Sequence, residues 1–172
     1  GMGGWTKGAG DWFRYRWSDH PRADIFAPAK GKAPDIFWKE MCGVVTAALI
    51  WGHKWKGQAV TFHCDNMSSV WTLIKKACSH ERKDIMHMVR VFMTVANEHG
   101  FHPYIVHIKG KDNVTADALS RFDVEKFKKD TAGIEMAASA TQCEWALDAA
   151  LDRAFPTGDP WNHELRDLLS SI

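Results

Sequence analysis

Apolar residues in this chain change their spacing from alternate to helical and back several times, which excludes an all-helical bundle and an all-strand sandwich alike. Trp5, Trp12, Phe13, Tyr15 and Trp17, at roughly alternate spacing within residues 1–18, predict a two-stranded hairpin. Residues 19–34, with His20-Pro21 and further prolines and glycines, read as a loop. From Asp35, Ile36, Phe37, Met41, Val44, Val45, Ala48 and Leu49 recur every three or four positions, so a helix should run to Trp51-Gly52. After a turn at Lys56-Gly57, Ala59 to Cys64 reads as a short buried strand ending in Asp65-Asn66. Helices are expected over 68–76, with Val70, Leu73 and Ile74 inward, and over 84–99, with Ile85, Met88, Val89, Phe92 and Val95 inward. Tyr104 to Ile108 reads as another strand, closed by Lys109-Gly110, and Asp112 or Asn113 caps a last helix through Phe122. Strand, strand, helix, strand, helix, helix, strand, helix is the order of an α/β fold, a mixed sheet with helices packed on it.

Size and charge narrow this further. At 172 residues and 45% apolar content the chain buries one substantial core with a small appendage, not two full domains. No apolar run approaches the ~20 residues that span a bilayer, and Gly1-Met2-Gly3-Gly4 lacks a signal pattern, so a soluble, intracellular protein is expected. Cys42, Cys64, Cys78 and Cys143 stand singly, and their spacing indicates neither a zinc site nor a disulfide framework. The net charge of +1 is unevenly spread. Residues 131–172 carry seven acids against Arg153 and Arg166, a net −5, which leaves +6 on residues 1–130 and makes the body compatible with a polyanion.

Three acids sit where bulk structure explains them poorly. Glu40 lies four residues from both Ile36 and Val44 and shares their face, Asp65 ends a buried strand, and Asp117 falls in the early turns of a short helix. Each has an ordinary alternative: a boundary residue reaching solvent, a turn former, and an acid favoured by the helix dipole. Together, carboxylates on helix faces and at a strand end are the donors a nuclease uses to hold divalent cations.

The residues around these acids carry a resemblance. Lys39-Glu40-Met41, His63-Cys64-Asp65-Asn66 and above all Gly110-Lys111-Asp112-Asn113-Val114-Thr115-Ala116-Asp117-Ala118-Leu119-Ser120-Arg121 make residues 1–122 resemble the ribonuclease H domain of retroelement reverse transcriptases, of the gypsy-type and tyrosine-recombinase retrotransposons. The resemblance implies a ribonuclease H-like fold in which Glu40, Asp65 and Asp117 are three of four catalytic, metal-binding carboxylates. It implies hydrolysis of the RNA strand of RNA–DNA hybrids with Mg²⁺, for which Mn²⁺ substitutes, through two ions about 4 Å apart that flank the scissile phosphate. Asn66 and Lys111 are its candidate substrate contacts, and Lys75 and Lys76, with Arg82 and Lys83, its hybrid-binding patch. For Asn66 the alternative is a helix cap. For His107, ten residues before Asp117, a structural role is favoured over one in product release. The implied partners are the hybrid and a polymerase domain upstream in a polyprotein, and the implied setting is a retroelement particle.

One departure stands out. Such domains open with a central strand ending in the first metal-binding Asp, whereas Gly1-Met2-Gly3-Gly4-Trp5 resembles the glycine-rich entry to the strand that follows it. The chain is therefore expected to be a piece of a longer polyprotein lacking that strand, and Asp11 is a poor substitute for its acid. A non-catalytic remnant, serving as a structural or interaction module, is the alternative. Residues 123–140 read as a linker, and 141–172 as a helical tail leading toward a following domain, with Trp145, Leu147, Leu151, Phe155, Leu165, Leu168 and Leu169 apolar.

Overall fold

The computed structural model describes residues 1–19 and 36–141. Of the loop predicted over 19–34, Asp19 closes a 3₁₀ turn over Trp17–Asp19, and the rest lies, with the helical tail beyond Thr141, outside the described residues. Strands β1 (Met2–Trp5) and β2 (Trp12–Tyr15) form an antiparallel hairpin, with Met2 opposite Tyr15 and Trp5 opposite Trp12. Helix α1 spans Ile36–Trp51, β3 Ala59–Cys64, α2 Met67–Lys75, α3 Lys83–His99 and β4 His102–His107. Two short helices follow, α4 (Val114–Ser120) and α5 (Val124–Asp130). The chain is a mixed α/β protein, and among the described residues no helix is long and apolar enough to cross a membrane.

Helix α1 is the centre of the core. Met41, Cys42, Val44, Val45, Thr46, Ala48, Ile50 and Trp51 are all buried, so the helix is covered on most of its sides. The β1–β2 hairpin and α3 both pack on it. Helix α3 is one-sided, and all five residues expected to face inward do so. Gly100, at φ +66°, ends it, and Phe101 N–H donates to Ala96 O at 3.0 Å, satisfying a carbonyl the helix would leave bare. Phe62 sits 5.1 Å from Phe92 and 5.5 Å from Trp55, ring to ring, which ties β3 to α3. A side chain buried this fully contributes about 1.5–3 kcal/mol.

Strands β3 and β4 are parallel, with Ala59 beside His102 and Cys64 beside His107; α2 and α3 form the crossover that parallel pairing demands. This register brings the carboxyl ends of both strands to the same edge. A single sheet is not formed among the described residues: β1 pairs only with β2, and β3 only with β4. Both pairs lie against α1.

Several expectations shift. Ile36, placed on the buried face of α1, is 62% exposed, because it is the first residue of the helix and stands clear of the core. Ile74, expected inward, is 50% exposed, since α2 buries only Ser69, Val70, Thr72 and Leu73. Trp71, assigned to packing, is 53% exposed, with Lys75 Nζ 5.4 Å from its ring. The stretch read as a linker contains α5, and it is docked. Phe127 is buried against Trp12 with ring centroids 5.2 Å apart, Trp12 Nε1 donates to Ala137 O at 2.8 Å, and Thr141 N–H donates to Trp12 O at 2.8 Å. Its Lys-rich composition reflects one solvated helix face around a single apolar anchor.

Candidate metal centre

Residue 65 is placed by the end of β3. Side chains on a strand point to alternate faces, so neighbours such as Cys64 and Asp65 approach one site only where the strand stops. Here it stops at Cys64, and Asn66 begins α2, its Oδ1 accepting from Ser69 N–H at 2.9 Å and from Ser69 Oγ at 3.2 Å. Asn66 is thus the cap of α2, the alternative considered for it, and this cap fixes the backbone beside Asp65.

Glu40 approaches from the second turn of α1. Its carboxyl hydrogen-bonds to Asp65, and donor atoms of Glu40, Cys64 and Asp65 all lie within 4.8 Å of one another. The turn after β4 closes the site. A Cβ on Gly110 would stand 3.8 Å from Asp65 Oδ2, and Ile108 N–H donates to Cys64 O at 3.0 Å, holding the two strand ends together. The crevice beyond the carboxyl ends of adjacent parallel strands is the usual ligand position in open α/β sheets.

Electrostatics follow from this proximity. Burial, followed by the negative charges of Asp65 and Asp117 and the hydrogen bond to Asp65, pushes the Glu40 carboxyl up to about 7. Two carboxyl groups this close share a proton or a cation. Burial likewise pushes the Cys64 thiol up to about 11, and its Sγ lies 3.8 Å from Asn66 O.

Asp117 is near enough for its charge to act on Glu40, yet its carboxylate is held by Arg121, whose Nε lies 2.8 Å from both oxygens. The structure therefore brings Glu40 and Asp65 together and keeps Asp117 turned to a neighbour one helical turn away. Asp117 is carried into place by α4, which packs on β1: a Cβ on Gly3 would collide with Leu119, so only glycine permits this approach. Asp11 sits at the turn of the β1–β2 hairpin, with both oxygens on Lys54 Nζ at 2.9–3.0 Å.

The remaining candidates lie outside the cluster. Lys111 is exposed in the 3₁₀ turn Gly110–Asp112, and His107 is the exposed last residue of β4. Lys75 and Lys76 end α2, and its nine residues set them about 14 Å from the Asp65 end. Arg82 departs from the basic patch expected of it: its guanidinium is bidentate to the buried Asp84, at 2.8 and 3.0 Å, and covers the ring of Phe37. Sequence reading missed Cys64 as a member of the cluster, because a thiol in a strand pattern looks like core. It also missed Arg121 as the partner of Asp117, although the four-residue spacing was the available signal.

Comparison with protein-family models, with curated proteins and with solved structures finds no match.

Proposed function

We propose that this chain is a ribonuclease H-type nuclease domain of a retroelement reverse transcriptase, which hydrolyses the RNA strand of RNA–DNA hybrids with Mg²⁺. The observation that carries the reading is the pairing of Glu40 with Asp65 at the carboxyl end of β3, where burial and mutual repulsion leave a site that a divalent cation neutralises. Carboxylate oxygens suit Mg²⁺, and Glu40 and Asp65 would hold it, with Asp117 joining on release from Arg121. A bound Mg²⁺ supplies Lewis-acid polarisation of the phosphate and a more acidic water. Glu40 and Asp65 offset the cation's charge, and the cap at Asn66 keeps Asp65 oriented. Lys75, Lys76 and Lys111, all outside the cluster, would supply the cations for the phosphate backbone.

Among the described residues β1–β2 and β3–β4 remain separate pairs, which is compatible with the further reading that another strand, bearing a fourth acid, completes the sheet. On this account the 172-residue chain cleaves hybrids weakly or not at all, and a polypeptide extended upstream through one more strand cleaves them with Mg²⁺ or Mn²⁺. Gel analysis of end-labelled RNA in a hybrid tests this, with Asp65→Asn as control. Loss of cleavage in Asp65→Asn with the fold retained supports the reading, and near-normal turnover in that variant contradicts it. The second reading, a non-catalytic module, is favoured by one observation, the capture of Asp117 by Arg121.

A further inference from the structure

The cluster contains a donor that a site for hard cations does not need. Cys64 is only 4% exposed, yet its Sγ lies within 4.8 Å of a carboxylate oxygen of Glu40 and one of Asp65. Hard cations such as Mg²⁺ and Mn²⁺ choose oxygen donors, whereas thiolate sulfur selects zinc and other thiophilic ions. Zinc with three protein donors and one open position is a familiar arrangement. Its bonds, about 2.3 Å to sulfur and about 2.0–2.2 Å to oxygen, ask for donors roughly 3.3–3.7 Å apart in a tetrahedron. The three donors lie within 4.8 Å of one another, so side-chain adjustments of about 1 Å on binding bring them to that spacing.

We infer that Glu40, Cys64 and Asp65 form a binding site for Zn²⁺, in which Cys64 Sγ is the selecting ligand and occupancy excludes a hard cation from the same two carboxylates. On binding, the Cys64 thiol proton passes to solvent as the Zn–S bond forms. The donor set alone supports the zinc site; that Zn²⁺ silences an enzyme rests on the nuclease reading above. Zinc would then act as an inhibitor held by a residue that hydrolysis does not use.

Co²⁺, which takes zinc sites and reports sulfur ligation through a near-ultraviolet charge-transfer band, is the probe. The full chain should show this band with Co²⁺, lose it when Zn²⁺ is added, and keep it when both Cys78 and Cys143 are replaced by Ala. Cys64→Ser and Cys64→Ala should abolish the band and weaken Zn²⁺ binding by at least the roughly 10–100-fold that losing an outer partner of a metal ligand costs. Mn²⁺ binding, followed by electron paramagnetic resonance, should be unchanged in both variants. Two substitutions of different polarity, each checked by circular dichroism, guard against a folding artefact, and Glu40→Gln, which keeps the thiol, should weaken Zn²⁺ and Mn²⁺ together. Absence of the band in the wild-type chain, its persistence without Cys64, or equal weakening of Zn²⁺ and Mn²⁺ without Cys64 overturns the site. Hybrid cleavage by the extended polypeptide is read separately. The band without cleavage keeps the zinc site and sinks the nuclease reading, and cleavage without the band does the reverse.

Discussion

The carboxyl group of Glu40, on the second turn of α1, hydrogen-bonds to the carboxylate of Asp65, the first residue beyond β3. Residues 25 positions apart are thereby joined in a partly buried site that favours a proton or a cation over two bare charges.

That pairing makes stability depend on pH with a defined sign. The folded Glu40 carboxyl titrates at about 7 against 4.5 for the ordinary group, so the folded protein binds the extra proton between these values. Its contribution is fully present below pH 4.5 and is lost as pH rises through about 7. Glu40→Gln removes the titration. Without added metal, the melting temperature of this variant relative to wild type should rise between pH 5 and pH 8, as read by circular dichroism. A constant difference across that range would show that Glu40 carries no such proton.

Arg121 holds Asp117 in a position where it serves Arg121 rather than a cation. Arg121→Gln should free the carboxylate and tighten Mn²⁺ binding, with little change in melting temperature because the pair is exposed. Calorimetric titration of Mn²⁺ reads the difference. Unchanged affinity would leave Asp117 outside the metal centre.

Phe127 anchors residues whose composition suggested a linker. It is buried with Trp12, Ala118 and Leu119, and so supports α4, the carrier of Asp117. Phe127→Ala should cost about 3–5 kcal/mol in urea unfolding. Truncation after Phe122 should destabilise the protein likewise, because it removes α5. Removal of only residues 142–172 should leave hybrid cleavage by the extended polypeptide intact. Unfolding unaffected by Phe127→Ala would show that α5 is not part of the folded unit.

What was legible in the sequence follows the strength of local patterning. β3 was read at its observed bounds because the run from Ala59 to Cys64 is bracketed by a Lys-Gly turn and by Asp65-Asn66, but it was read as buried throughout, whereas only Phe62 and Cys64 are buried. α3 was read nearly to the residue because its apolar stripe is one-sided and ends in glycine. Glu40 and Asp65 were legible as a pair only through the motifs around them. Periodicity assigns a face, and it does not say that the end of β3 meets the second turn of α1. Tertiary context decided the rest. Trp71 and Ile74 lie on the outward side of α2, where no element covers them among the described residues, and a lone Phe127 was too small a signal to mark α5 as docked. Cys64 joins the cluster because the chain turns at Asp65, a backbone event that residue spacing does not encode.

The most direct test of the central claim, that Glu40 and Asp65 form a divalent-cation site, is calorimetric titration of Mn²⁺ into the 172-residue chain and its Asp65→Asn variant at pH 6.5, in buffers of differing ionisation heat. The wild-type chain should bind saturably, with protons released as the cation displaces the one on Glu40, and Asp65→Asn should lose both signals with the fold retained. Equal binding by the two proteins, or binding with no proton release, would contradict the claim.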